Sequence, residues 1–118
     1  MSPSLLDFLR HILDECNYVL SVSHGKTKEQ ILDNPDYQRS VVRSIEIIGE
    51  ASKKLDEEFR NAYPHIEWKK MGKTRDKMIH HYFGIDYEIV WEIITEKIPD
   101  LQHYIQEIIS EQEGKQQP

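Results

Sequence analysis

The sequence of 118 residues has few of the features that mark membrane, secreted or metal-binding proteins. Its one cysteine, Cys16, cannot close an intramolecular disulfide or form a cysteine-based metal site by itself. No apolar run approaches the ~18 residues that a membrane span needs. The N-terminus MSPSLLDFLRHILDE lacks the basic start of a signal peptide. We therefore expect one small cytoplasmic domain in which Cys16 is a buried thiol without a chemical role.

Positive charge is also scarce. The sequence has 15 lysines and arginines but 21 aspartates and glutamates, which gives a formal net charge of −6. A nucleic-acid-binding protein needs a positive surface, so the total argues against that class. The distribution changes this conclusion. Residues 65–81 carry five basic and two acidic side chains, whereas residues 1–64 and 82–118 have net charges of −3 and −6. The acidic C-terminal stretch is either a solvated face or a docking surface for a basic partner.

Strand patterns are missing as well, since no run alternates apolar and polar residues and no hairpin dipeptide or internal repeat occurs. Apolar residues recur instead at the 3.6-residue spacing of helices. We expect an all-α, up-and-down bundle of four to five helices, with a domain over residues 1–112 and a polar tail over 113–118. The predicted boundaries are a start at Ser2 or Ser4, a stop at Gly25, a short turn from Thr27, a long helix from Asn34 to Pro64, a stop at Gly84, a start at Asp86 and a restart at Pro99.

The basic stretch contains the segment TRDKMIHHYFGID, residues 74–86, with an arginine, two adjacent histidines and a tyrosine. On an ideal helix Arg75 and Tyr82 lie about 20° apart, whereas His80 lies about 140° from Arg75. Adjacent histidines point about 100° apart and lack the i, i+4 spacing of a helical zinc pair. We therefore expect no metal site here, and no single helical face that holds all of these side chains.

Arg75 needs a negative partner if it lies on the apolar stripe that this helical spacing predicts. A carboxylate of the long helix, Glu46 or Glu50, is the structural interpretation, and a phosphate is the functional one. His80 is either a hydrogen-bonded core residue or a general acid or base. An arginine beside a histidine can support phosphodiester cleavage without a metal, and an internal 2′-hydroxyl nucleophile would restrict that cleavage to RNA rather than DNA.

Residues 75–82, RDKMIHHY, consist of an arginine, a polar residue, three further residues, a histidine, any residue and a tyrosine. This order resembles the signature of HepT-like toxins of the HEPN superfamily. The resemblance continues through QRSVVRSIEIIGEASKKL (38–55), PHIEWKKMGKTRDK (64–77) and YFGIDYEIVWEIITEKIPDL (82–101). It implies a helical, homodimeric, metal-independent endoribonuclease toxin that needs no cofactor. It also implies a partner, a small nucleotidyltransferase antitoxin of the MntA kind.

By position, the resemblance assigns catalysis to Arg75 and His80, an orienting role to Asp76 and AMP modification by the antitoxin to Tyr82. Adenylylation would place a tethered phosphate near Arg75, where it competes with RNA. His81 stands where the family often has a small or variable residue, so the choice of main acid or base between the two histidines is open. The spacing favours His80, and His81 would then add a supporting contact to substrate.

Two geometries would bring the predicted catalytic pair together. Either the helix loosens before Gly84, or the partner's copy completes the site in a cleft between two chains. A second function, from a different class, is a non-catalytic HEPN-like module that binds a nucleotide or a nucleotidyltransferase partner.

Overall fold

The computed structural model describes residues 4–80 and 84–116, with residues 79, 80 and 116 described by their backbone alone. Helices dominate this part of the chain, which confirms the all-α prediction. The elements in order are α1 (Leu5–Ser23), α2 (Lys28–Leu32), α3 (Pro35–Lys53), α4 (Glu57–Ala62), α5 (Trp68–Met78), β1 (Ile79–His80), β2 (Gly84–Ile85), α6 (Tyr87–Glu92), a π-helical segment (Ile93–Lys97) and α7 (Ile98–Gln116).

Four long helical elements form the bundle. The first, α1, packs against α3 and α7, while α3 packs against α5, and α5 in turn contacts α6. Because α6, the π-helical segment and α7 follow one another without a gap, they form one continuous fourth rod. The short helices α2 and α4 lie in the connections. This arrangement agrees with the predicted up-and-down bundle.

Polar side chains cap the helices at predicted positions. Ser4 and Asp7 form a reciprocal capping box at the start of α1, and Thr27 forms the same arrangement at the start of α2. The Asn34 side chain accepts hydrogen bonds from two backbone N–H groups of α3, and the Asp86 side chain accepts one at the start of α6. The start at Ser4 is the described one of the two predicted, since Ser2 lies outside the described residues.

The prediction of one long helix from Asn34 to Pro64 is wrong. The helix α3 ends at Lys53, and the Asp56 side chain then accepts a 2.8 Å hydrogen bond from the Phe59 backbone N–H to start α4. Leu55 lies in the break and is only 2% exposed. The apolar periodicity continues across this break because both helices face the same core, so periodicity alone did not reveal it.

The predicted restart at Pro99 corresponds to the start of α7 at Ile98, one residue earlier, although no gap separates α7 from the π-helical segment before it. Pro99 lies in the first turn of α7, directly after the π-helical segment Ile93–Lys97. Proline has no N–H and its ring crowds the carbonyl four residues earlier, and a π-helical turn is one way for a helix to absorb such a defect.

The core lies between the four rods and includes Cys16, which is fully buried as expected. The fully buried side chains of the four rods include Leu9, Ile12, Val41, Met78, Val90 and Ile105, and Ile31 of the short helix α2 is fully buried as well. At the C-terminus α7 extends to Gln116, and Glu113 forms a 2.9 Å ion pair with Arg10 of α1. The division into a domain over 1–112 and a tail stays a prediction. Over the residues described, no helix is both long and apolar enough to cross a membrane.

Candidate functional site

Helix α5 presents the basic stretch to solvent while its two ends are held in the core. Trp68 and Met78 are both buried, and the Trp68 indole N–H donates a 3.1 Å hydrogen bond to the Tyr63 carbonyl oxygen. Between these anchors the exposed side chains include Lys69, Lys70, Lys73, Arg75 and Lys77. The helix is therefore fixed at its ends and cationic along its outer face.

Arg75 forms an ion pair with Glu46 of α3, with 3.4 Å between Arg75 Nε and Glu46 Oε2. This is one of the two carboxylates that the sequence indicated; the other, Glu50, pairs with Lys53 on its own helix at 3.5 Å. The Arg75 side chain is 56% exposed, so its expected placement among apolar side chains is wrong. A long arginine side chain at the edge of the apolar stripe can carry its charge out to water.

Glu46 also lies beside a second arginine. Arg43 Nη1 is 4.0 Å from the same oxygen, Glu46 Oε2, that contacts Arg75. The Arg43 side chain is 67% exposed, whereas that of Glu46 is 23% exposed. Two guanidinium groups thus share one carboxylate, and the three side chains together carry one net positive charge. Within the described part of the chain, the terminal nitrogens of Arg75 have no other partner.

The chain leaves the helical path between Arg75 and His80. Helix α5 ends at Met78, and β1 then pairs antiparallel with β2, with Ile79 opposite Ile85 and His80 opposite Gly84. The Asp86 backbone N–H donates a 2.7 Å hydrogen bond to the Met78 carbonyl oxygen, which closes the reversal. The helix thus ends before the predicted stop at Gly84, which agrees with one of the two geometries considered for the catalytic pair. The other geometry, a site completed by a second chain, stays a prediction.

The angles of an ideal helix do not apply beyond Met78, because Ile79 and His80 form the strand β1. The expected shared face of Arg75 and Tyr82 stays a prediction, since Tyr82 lies outside the described residues. The short β pairing was not predicted, because two-residue strands are too short to show an alternating pattern.

The remaining predicted site residues are only partly described. His81 and Tyr82 lie outside the described residues, and only the backbone of His80 is described. Asp76 is exposed, and no ion pair joins it to Arg75 in the part of the chain that the structure describes. The roles assigned to these four residues stay predictions. The sequence alone did not single out Arg43, although its i, i+3 spacing to Glu46 was visible.

A groove of about 550 Å³ lies between α5 and the fourth rod, with Ile45 and Ile48 of α3 also in its lining. Its lining includes three lysines and three carboxylates, Lys70, Lys77, Lys97, Glu67, Glu92 and Asp100. Because these charges balance, the groove does not extend the cationic face of α5. Among residues 4–80 and 84–116, no cluster of three or more His, Cys, Asp or Glu side chains is placed to hold a metal ion.

Comparison with known proteins identifies the family to which the chain is similar. A family model described as "Ribonuclease HepT-like" matches residues 12–108. The chain is 44% identical over 108 residues to a protein of Methanocaldococcus jannaschii named as a candidate RNase, covering 92% of this chain and 89% of that protein. It is 42% identical over 105 residues to another candidate RNase, from Caldanaerobacter subterraneus subsp. tengcongensis, covering 89% and 94% of the two chains.

A third relative, from Thermococcus cleftensis, is named as a probable ribonuclease HepT. It is 36% identical to this chain over 102 residues, covering 86% of this chain and 93% of that protein. No solved structure gives a significant match.

Proposed function

Because the chain belongs to the HepT-like ribonuclease family, we propose that it is a metal-independent endoribonuclease in which Arg75 and His80 act on RNA. The observation that carries this proposal is the end of α5 at Met78, between the two residues. A continuous helix would point His80 about 140° away from Arg75, and the extended backbone of β1 removes that restriction. The Arg75 side chain is 56% exposed and makes no hydrogen bond to a described residue, so its guanidinium group is available to a phosphate.

The proposed chemistry divides the work between charge and proton transfer. Arg75 binds the scissile phosphate and neutralises the charge that develops on its oxygens. The 2′-hydroxyl oxygen attacks phosphorus while a histidine takes its proton, and the P–O5′ bond breaks as a protonated histidine donates a proton to the leaving oxygen. His80 is the first candidate for these transfers and His81 the second. The products are a 2′,3′-cyclic phosphate and a 5′-hydroxyl.

We further propose that the chain is the toxin of a type VII toxin–antitoxin pair. A nucleotidyltransferase antitoxin of the MntA kind would transfer AMP to the Tyr82 hydroxyl, and the attached phosphate would compete with RNA for Arg75. Two copies of the chain would form one cleft with both sets of motif residues. The sequence pattern of residues 75–82 supports these details, with Asp76 as the residue that orients Arg75.

RNA cleavage by purified protein in EDTA tests the catalytic proposal. We expect the unmodified chain to cleave RNA and to leave DNA of the same sequence intact, and we expect His80→Ala to lower the rate by roughly 10²- to 10⁴-fold. His103→Ala is a matched control, because His103 is an exposed histidine on α7. If His80→Ala retains full activity, the proposal is wrong, and the non-catalytic nucleotide-binding or partner-binding module becomes the better interpretation.

A further inference from the structure

The cluster formed by Arg43, Glu46 and Arg75 has a geometry that a simple structural ion pair does not explain. Glu46 Oε2 lies 3.4 Å from Arg75 Nε and 4.0 Å from Arg43 Nη1. Among the described residues, neither contact is a side-chain hydrogen bond, and 4.0 Å is longer than hydrogen-bond distance. By contrast, Arg10 and Glu113 form a neutral pair with a hydrogen bond of 2.9 Å.

The guanidinium groups of the cluster have N–H donors without a hydrogen-bond acceptor among the described residues, and the cluster has a net positive charge. The Arg75 nitrogen nearest to Glu46 is Nε, and the guanidinium group makes no side-chain hydrogen bond among the described residues. Arg43 meets Glu46 only at the longer distance and is 67% exposed. One carboxylate cannot neutralise two guanidinium groups, so an excess positive charge remains at the surface between α3 and α5. Guanidinium groups suit phosphate oxygens in both shape and charge.

Glu46 is less exposed than either arginine, which makes it the fixed member of the cluster. It comes from α3, whereas Arg75 comes from α5. Since both arginines contact the same oxygen, their contacting nitrogens can be no farther apart than the sum of the two distances. The two guanidinium groups are therefore close enough together to contact the same RNA strand.

We propose that Arg43 binds the RNA phosphate next to the one held by Arg75, and that Glu46 is a positioning residue that sets the spacing of the two guanidinium groups. This inference rests on the proposed ribonuclease function and extends it to a second phosphate-binding residue on a different helix. The ligand is single-stranded RNA, recognised through its backbone rather than its bases.

Salt-dependent RNA binding tests the role of Arg43. A labelled single-stranded RNA oligonucleotide of mixed sequence is titrated with the full chain carrying His80→Ala, so that cleavage does not interfere. The plot of log K against log salt has a negative slope, and each lost phosphate contact makes it shallower by about 0.7 for single strands. We expect Arg43→Ala to make the slope shallower by about this amount and Arg43→Lys to keep most of the wild-type steepness. Arg10→Ala, which removes an arginine from another interhelical pair, should leave the slope unchanged.

Cleavage kinetics test the positioning role of Glu46. The variant Glu46→Gln keeps the shape of the side chain and removes its charge. We expect its KM for RNA to stay the same or fall, because a competing anion is lost, and its kcat to fall roughly ten- to a hundredfold, because Arg75 is no longer held in place. Glu113→Gln, the matched control, should change neither parameter. Thermal unfolding of each variant shows whether the fold is intact.

The outcomes separate this inference from the proposed function. If the wild-type chain neither binds nor cleaves RNA, both fail together. If the wild-type chain cleaves RNA but Arg43→Ala binds like Arg10→Ala, Arg43 is not a phosphate contact and the inference alone is overturned. An unchanged kcat in Glu46→Gln would likewise reject the positioning role while leaving Arg75 and His80 as the proposed catalytic pair.

Discussion

Gly49 of α3 lies against the backbone of Met71 in α5, and a β-carbon at position 49 would come within 2.8 Å of the Met71 carbonyl oxygen. Because that oxygen belongs to the helix backbone, it cannot move aside as a flexible side chain would. The two helices can pack this closely only because residue 49 has no side chain. This contact sets the separation between the helices that carry Glu46 and Arg75.

We predict that Gly49→Ala destabilises the protein, although alanine is the better helix former by about 1 kcal/mol. Overpacking against a backbone atom costs typically about 1–3 kcal/mol, which should exceed that gain. Gly72→Ala on α5 is the matched control, since the atoms nearest to its β-carbon would belong to the flexible Lys53 side chain, at 3.2 Å or more. Chemical denaturation measures both variants. A Gly49→Ala protein as stable as Gly72→Ala would contradict the close packing.

The sequence predicted the bundle and most helix starts because these depend on local chemistry. Caps at Ser4, Thr27, Asn34 and Asp86 act within three residues of their own positions. Glu46 was one of two carboxylates proposed for Arg75, but the choice between Glu46 and Glu50 required the relative rotation of α3 and α5. That rotation is a property of tertiary packing.

The features that the sequence did not predict depend on contacts distant along the chain. The end of α5 at Met78 coincides with a backbone hydrogen bond from Asp86, eight positions later. The break between α3 and α4 places Leu55 in the core while the apolar pattern continues. Helical angles predict the direction of the Arg75 side chain but not how far it extends beyond the apolar stripe. The side chain is long enough to carry its charge into solvent, and it is 56% exposed.

Gly84 adopts a φ of 78° opposite His80 in the short β pairing. We predict that Gly84→Ala costs roughly 1–2 kcal/mol, because a β-carbon strains a left-handed backbone. Gly25 offers a matched control, since it has a φ of 70° and, as at Gly84, a β-carbon added there would have no neighbour within 4 Å. Both alanine variants should lose similar stability in denaturation experiments, and only Gly84→Ala should also lose RNA cleavage. Equal activity in the two would argue against a role for this turn in placing His80.

Burial raises the pKa of the Cys16 thiol from 9.0 to about 12, with a smaller contribution from the negative charge of Glu15. The neutral thiol is therefore favoured in the folded protein. The resulting stability is fully present below pH 9 and is lost as pH rises from 9 towards 12, with a slope of up to about 1.4 kcal/mol per pH unit. We predict that the stability advantage of wild type over Cys16→Ala shrinks across this window. Denaturation at pH 8 and pH 11 measures it, and a constant difference would contradict the raised pKa.

The same burial predicts that Cys16 is chemically inert in the folded protein. A thiol reagent at pH 8 should leave Cys16 unmodified until denaturant exposes it, since the thiolate is the reactive form. Rapid labelling without denaturant would show that the residue is accessible.

We predict that co-expression with a nucleotidyltransferase encoded beside this chain adds AMP-sized increments to its intact mass, and that Tyr82→Phe abolishes them. The physical reason is that an attached phosphate near Arg75 would compete with RNA, so the modified chain should also lose RNA cleavage. Tyr18→Phe and Tyr87→Phe are matched controls, because both tyrosines are exposed, at 40% and 42%. Increments that persist in Tyr82→Phe would assign the modification to another residue. An unchanged wild-type mass would show that AMP transfer is not how the antitoxin inhibits this chain. The proposed roles of Arg75 and His80 in cleavage do not depend on that result, because the RNA-cleavage assay tests them separately.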